Sequence, residues 1–412
     1  MTDSSTDAKA STTRIGQLRA SILEAGDTRI TDAVLMALFI VIIPVPGTGI
    51  GINLVAAAAL ILLGSFRRPT RTLAGGYWYP VICVGTLAYL GVVAVLTGPG
   101  AEDVTRMGRI GLLMALAGFM ATGRISIKSG FRGILLALAI NVPLFYVGLA
   151  PDNYGGLLTG FLGDKNVAGL TYAIMTILFL LLTPKFWPRA FIVLGGTACV
   201  VLTDSRTSMA ALAAGLIWLL LARYLGTFFR AILALGLYLA FEFAETNLAQ
   251  AGAYAARSGS DELRERIDAA SWEKVTATPW FGAGLGEGTV EVAGETWFFH
   301  NAYWGLWVDG GAPLSIAVLL LCALAGFQFL AKGRPTPESR IVEASMVTLL
   351  LCSFRLGETF FSIPGFLVIG VGLSVYLRRH GDWVEDQKAL DARELKERVA
   401  RLKIAPRMSR PS

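Results

Sequence analysis

The sequence predicts an all-α, polytopic membrane protein with about twelve transmembrane helices and one larger external loop. Composition gives the first reason. Of 412 residues, 54% are hydrophobic and 16% charged, against about 25% charged in an ordinary soluble domain, and the mean hydropathy is +0.59. Patterning gives the second. The apolar residues fall in runs approaching the ~20 residues a helix needs to cross the hydrocarbon core, and arginines and lysines gather at alternate run ends.

Residues 1–30 read as a cytoplasmic tail, too long and too acidic ahead of the first apolar run to be a cleavable signal. Residues 31–247 hold the first nine spans, centred near 40, 58, 85, 116, 141, 175, 196, 215 and 238. The first hairpin turns at Pro44 to Gly49, where proline and glycine break the helix. Residues 248–300 form the external loop, and residues 301–377 hold three more spans, centred near 312, 348 and 368. Residues 378–412 form a cytoplasmic amphipathic tail. In it Glu394 and Glu397 stand three or four positions from Arg398 and Arg401, a spacing that supports a solvated helix.

Orientation follows from the positive-inside rule. Arg67, Arg68 and Arg71, then Arg124, Lys128 and Arg132, Lys185 and Arg189, Arg223 and Arg230, Lys332, Arg334 and Arg340, and Arg378 and Arg379 occupy alternate connections. An even number of spans puts both termini with them in the cytoplasm. Glu102, Asp103, residues 151–166, Asp204 and the long loop then face outward.

The net charge of +6 is explained by those basic ends, and no basic, aromatic-interleaved surface points to nucleic acid. Cys83, Cys199, Cys322 and Cys352 lie in separate apolar runs with neither zinc nor disulfide spacing, so they read as small buried hydrophobes.

Candidate chemistry concentrates in residues 264–314. His300 is the one histidine expected on the outer face, and imidazole accepts a hydroxyl proton near neutral pH. It lies among Trp297, Phe298, Phe299, Tyr303, Trp304 and Trp307, which also suit a membrane interface, and is followed by Asn301. No cysteine or glutamate cluster stands beside it, so neither a metal nor another cofactor is expected.

Arg206 heads an apolar helix beginning Arg206-Thr207-Ser208, where backbone donors and a guanidinium together favour an anion. Arg264 and Arg266 sit on a helix expected to start at Ser260 and stop before Pro279. Two positions apart, they point about 200° from each other, so one reaches inward while the other pairs outward. Leu263, Ile267 and Ala270 form that helix's apolar stripe. Lys165 adds positive charge to the candidate pocket, and Asn166 reads first as a helix cap.

Residues 279–288, PWFGAGLGEG, lack nucleotide-loop spacing and a preceding strand, and read as a close-approach turn. In-membrane charges at Glu242, Glu245, Asp309, Glu343, Arg355 and Glu358 are expected to pair or line a polar cavity. Arg355 and Glu358 are spaced for a helical pair.

Four stretches in order resemble the bacterial O-antigen ligase and O-antigen polymerase superfamily. They are Gly163-Asp164-Lys165-Asn166-Val167-Ala168-Gly169; Asp204-Ser205-Arg206-Thr207-Ser208; Arg264 with Pro279 and Gly282-Ala283-Gly284-Leu285-Gly286; and His300-Asn301 with Asp309-Gly310-Gly311. The resemblance covers roughly residues 160–315. Asp309 stands where glutamate is commoner in the family, and Leu314 where glycine is frequent.

The resemblance implies a multi-span, GT-C-like glycosyltransferase that is inverting, metal-independent and free of cofactors. Its donor would be a glycan on undecaprenyl diphosphate at the outer face of the bacterial inner membrane. Its acceptor would be a second lipid-linked glycan or lipid A core, with chain-length regulator or flippase proteins as partners. Arg206 and Arg264 map onto diphosphate-binding positions and His300 onto the acceptor base, with Arg266, Lys165, Asn166 and Asn301 as substrate-binding candidates. The product would be O-antigen lipopolysaccharide, capsule or exopolysaccharide. The chief alternative is a multi-span secondary transporter, disfavoured because the chain has no evident halves and its arginines and histidine cluster at one surface. A shape-and-division wall polymerase would call for acidic catalysis, and a non-enzymatic scaffold would not need Arg206, Arg264 and His300 together.

Overall fold

The computed structural model describes residues 29–45, 50–98, 100–247, 258–332 and 335–381. The N-terminal tail through residue 28, the first-turn residues 46–49, loop residues 248–257, Arg334 and the C-terminal tail from residue 382 lie outside the described residues. So do the side chains of Glu102, Ser260 and Asp261. The protein is 72% helical with little sheet.

The helices are α1 (Ile30–Phe39), α2 (Ile52–Ser65), α3 (Trp78–Thr97), α4 (Ala101–Ala121), α5 (Ile127–Tyr146), α6 (Lys165–Leu178, continued as a 3-10 turn to Leu182) and α7 (Phe186–Leu202). There follow α8 (Arg206–Leu221), α9 (Thr227–Asn247), α10 (Ser258–Ala277), α11 (Ala302–Leu321), α12 (Pro337–Cys352) and a helical stretch over residues 363–381, α13. Among the described residues seven are long and apolar enough to cross a membrane: α3, α4, α5, α6 with its extension, α8, α9 and α11. Each of the twelve span centres falls in or at the end of a helix. However, α1 is only about 15 Å long at 1.5 Å per residue, half of what the hydrocarbon requires. The outward faces are apolar: Val81, Val84 and Val95 on α3, and Phe228, Leu235 and Phe243 on α9, are more than half exposed. In water such faces would drive association; against acyl chains they cost nothing.

The chain divides into two compact units, residues 1–68 with 123–205 and residues 69–122 with 206–412. In the first unit, small residues set the helix distances. A Cβ on Gly133 of α5 would stand 1.9 Å from the Ala33 carbonyl oxygen of α1, and one on Gly196 of α7 would stand 1.9 Å from Thr176 Oγ1 of α6. α6 is buried without a break from Ala168 to Leu178, as a helix apolar all round should be.

At the N-terminus of α6, Asp164 caps the helix, accepting from Asn166 N at 2.7 Å and Val167 N at 3.2 Å. The cap is therefore Asp164 and not Asn166, because its carboxylate precedes the first free amides. Tyr154 also donates to Asp164. Burial first, and that acceptor second, push the Tyr154 phenol up to about 12. Asn141 of α5 holds the preceding turn, accepting from Phe161 N at 2.9 Å and donating to Thr159 O at 3.3 Å. At the other end of this unit Asp32, fully buried, pairs with Arg67 and accepts from Ser126 N at 2.8 Å.

In the second unit α8 lies on α12 through small residues, with Thr348 Oγ1 donating to Ala211 O at 3.2 Å, and α9 packs beside α8. Residues 363–377 of α13 are buried throughout. The loop after α10 contains an element the sequence reading did not anticipate, an antiparallel hairpin of β1 (Thr289–Val292) and β2 (Glu295–Phe298). Its two-residue turn, Ala293 (φ 57) and Gly294 (φ 81), is left-handed at both positions, the geometry that matches strand twist.

Gly133→Ala tests the α1–α5 approach. Helix propensity alone favours alanine by about 0.5–1 kcal/mol, whereas the clash should cost about 1–3 kcal/mol. The thermal midpoint in detergent should fall. Gly195→Ala on α7, where no heavy atom lies within 4 Å of the added carbon, should hold it or raise it. Equal midpoints for the two variants would refute the tight contact.

Candidate functional site

The site is built within the second unit, where α8, the end of α9, α10 and the turn after α12 bring charged side chains together. Arg206 is the first residue of α8. Glu242 and Glu245 stand three apart on the last turns of α9, and Arg264 lies on the first half of α10. The half-buried Glu245 carboxylate accepts from the Thr207 hydroxyl and lies within electrostatic reach of Arg206, Arg355 and Arg264. Its Oε1 has no hydrogen-bond partner among the described residues. Arg355 pairs with Glu242 at 2.5 Å. Arg206, Arg264 and Arg355 thus gather about the Glu242 and Glu245 carboxylates. Guanidiniums brought together from three elements suit a forked contact to an anionic oxygen.

Helix α10 is oriented by Ile267, 1% exposed, and by the fully buried Ser271. Arg264, Ile267, Asp268 and Ser271 follow i, i+3, i+4, i+7 spacing and share the inward face. Arg266 lies on the other side, paired with Glu262 and largely exposed. Of the two arginines, Arg266 is the one that turns outward, on the face opposite Arg264 as their 200° separation requires.

Asp268, one turn beyond Arg264, faces His300: Nδ1 and Asp268 Oδ1 are 3.4 Å apart. The two atoms are at ion-pair distance but not aligned for a hydrogen bond, and neither has another hydrogen-bond partner among the described residues. A carboxylate on Nδ1 leaves Nε2 as the nitrogen for a substrate, the arrangement in which a base is oriented by a third group. The sequence reading did not single out Asp268; it named Glu242, Glu245 and Arg355 as in-membrane charges that pair or line a polar cavity, as Arg355 and Glu242 do, but not as neighbours of Arg206 and Arg264. The signal for Asp268 was its four-residue spacing from Arg264.

His300 is placed by the turn before it and the helix after it. Ala283 N donates to Val308 O at 2.7 Å, and Ala312 N to Trp280 O at 2.7 Å. A Cβ on Gly282 (φ 91) would stand 2.6 Å from Gly310 Cα, and one on Gly311 (φ 62) 2.0 Å from Trp280 O. The expected close-approach turn is thus a backbone-to-backbone contact, and α11 kinks at Gly310 and Gly311 to accept it. Asp309 completes the joint: its Oδ1 accepts from Gly286 N at 3.2 Å and Gly288 N at 3.1 Å. Lys274 ties α10 to the same turn through Glu287 at 2.9 Å and Thr289 O at 3.1 Å.

Asn301 caps α11, its side-chain oxygen accepting from Tyr303 N at 3.0 Å and Trp304 N at 3.3 Å. Lys165 and Asn166 belong to the first unit, at the start of α6. The expected Arg355–Glu358 pair does not form. Both residues lie in the turn after α12, where Glu358 has φ 48, and Glu358 pairs instead with Arg106 of α4 at 2.8 Å. Glu343 of α12 pairs with Arg230 at 3.4 Å. Among the described residues no three histidine, cysteine or acidic side chains gather as a metal site would require.

Asp309→Ala should leave the Gly286 and Gly288 amides without an acceptor, at a cost of about 1–3 kcal/mol. Hydrogen exchange at residues 284–288 should quicken markedly, and Asp309→Asn, which keeps an oxygen, should quicken it less. Unchanged exchange in the alanine variant would mean that the carboxylate does not hold the turn.

The sequence matches no protein-family model and no curated protein.

Proposed function

We propose that the protein is a membrane glycosyltransferase of the O-antigen ligase and polymerase type, moving a glycan from undecaprenyl diphosphate to an acceptor hydroxyl. The observation that carries the reading is one helix, α10, presenting Arg264 toward the Glu245 cluster and Asp268 toward His300. The acceptor oxygen forms its bond to the anomeric carbon as the bond from that carbon to the diphosphate breaks, with inversion. The electron pair leaves on the diphosphate, where Arg206, Arg264 and Arg355 stabilise the developing charge. The hydroxyl proton passes to His300 Nε2, and Asp268 supports the imidazolium. With that proton on His300, the whole constellation becomes more positive as the leaving group becomes more negative. No nucleotide is consumed, because the lipid diphosphate is itself the activated donor.

In this reading α1, α2, α7, α12 and α13 join the seven longer helices to make twelve crossings of the bacterial inner membrane. Both termini are cytoplasmic and the site opens on the external face. The alternating basic ends, Arg67, Arg124, Lys185, Arg223, Arg340 and Arg378, support that orientation.

The test uses purified protein with a synthetic undecaprenyl-diphosphate oligosaccharide and no nucleotide or metal, products being resolved by size. A lengthening ladder, or transfer to an added core acceptor, is the expected result. No turnover with any acceptor by folded protein would overturn the reading and favour transport. His300→Ala should lower transfer by about 10²-fold or more with the melting temperature kept. Arg206→Lys should recover little, because a point charge lacks the guanidinium fork, whereas Arg266→Ala should retain most activity. Full transfer in Arg206→Lys would argue against a forked contact to phosphate.

A further inference from the structure

The first unit holds an apolar groove between α1 and α5, with an open volume of about 290 Å³. The two helices run in the same direction. Arg29 N donates to Ser129 Oγ at 3.1 Å near one end of the groove, and Ile42 N donates to Phe161 O at 2.8 Å near the other. Val34 on α1 and Leu136 and Ile140 on α5 are exposed and form its rims, while the small side chains of Ala37 and Ala137 leave the space between them open. Among the described residues Asn141 is the one polar side chain in the lining. Its amide is already engaged, donating to Thr159 O and Tyr172 Oη and accepting from Phe161 N. A buried water needs two to four polar partners, which this lining does not supply. An apolar chain suits the volume better than solvent does.

Charge marks one end of the groove. Lys128, Arg132, Leu136 and Ile140 are four apart on α5, so they form one ridge along it, and all four are exposed. Long side chains lean toward a helix N-terminus, which carries both cationic heads toward the start of α5 and away from the apolar lining. On the α1 side the lining runs from Ala33 to Val41, about 12 Å at 1.5 Å per residue, within one leaflet of a hydrocarbon core about 30 Å thick. We infer that this groove seats one acyl chain of an anionic phospholipid, whose phosphate rests on Lys128 and Arg132. An apolar rim alone would accept any lipid, and a basic pair alone any anion. The two in line, within the depth of one leaflet, match a molecule with a charge at one end and a chain of leaflet length. Arg132 offers phosphate a planar fork and Lys128 a point charge, and basic residues at a membrane surface attract anionic lipid. A chain seated here covers the flank of α1, which is too short to cross the hydrocarbon alone. The inference is carried by the first unit and does not rest on glycan transfer.

The experiment uses the full-length protein in an uncharged detergent, titrated with phosphatidylglycerol or with phosphatidylcholine of the same chains, bound lipid being counted by native mass spectrometry. Phosphatidylglycerol should bind about tenfold more tightly or better, since each basic residue beside an anionic headgroup contributes about fivefold. Lys128→Gln and Arg132→Gln together should remove that preference and leave phosphatidylcholine binding unchanged. Ala37→Leu, which fills the groove, should weaken both lipids. Independently of any variant, a phosphatidylglycerol with a diazirine in its acyl chain should label Val34, Leu136 and Ile140 when the wild-type protein is irradiated. Equal affinity for the two lipids, a preference that survives loss of both charges, or label spread evenly over the apolar helices would overturn the inference. Labelling of the groove only after removal of residues 1–28 would also overturn it, by assigning the groove to that segment. Displacement of the label by an equal concentration of a neutral prenol would do the same, by assigning it to a prenyl chain.

Discussion

The contact between two stretches of bare backbone, Gly282 against Gly310 and Gly311 against Trp280, is the constraint on which the candidate site depends. No side chain larger than hydrogen fits at either position, and the Asp309 carboxylate beside them can be buried only because two amides of the same turn solvate it. This joint fixes where the chain leaves α10, how far the hairpin projects, and where α11 restarts. His300, between hairpin and helix, inherits its position from these backbone distances. A histidine on a mobile loop could not hold one nitrogen toward Asp268 while keeping the other for a substrate.

Charge is handled differently in three places in the second unit, and the differences are informative. Arg230 and Glu343 form a pair of one cation and one anion, as a structural ion pair near apolar helices should. Arg106 and Glu358 likewise balance, but in a lined cavity. Around Glu245 three guanidiniums from separate elements gather, and one carboxylate oxygen has no hydrogen-bond partner among the described residues.

The helical class was legible because composition and run length both report burial in an apolar medium. The twelve apolar centres found helices for the same reason. Crossing was less legible: residues 30–39 are apolar and helical, yet Ile40 ends the helix after ten residues. The β hairpin was hidden by its shortness. Its pattern, Val290 and Val292 alternating with polar residues before Ala293-Gly294, is visible in retrospect but was outweighed by the helical context. Within the site, residues on one element were readable by spacing, as with the opposite facing of Arg264 and Arg266. Residues brought from distant elements, Glu245 and Arg355, were not, because nothing in a one-dimensional pattern says which helix ends meet. Arg355 and Glu358 show the converse error: helical spacing predicts a pair only where the chain is helical.

Helix α10 ties two events to one rigid body. Arg264 and Asp268 are a single turn apart, about 5.4 Å, and both are held by the buried Ile267 and Ser271. A displacement of that rod that tightens one contact alters the other. In a group-transfer site this amounts to a mechanical interlock: an anion that seats the guanidinium also sets the carboxylate behind the imidazole. Proton acceptance would then be armed only when a leaving group is in place, and water arriving alone would meet an unprepared base.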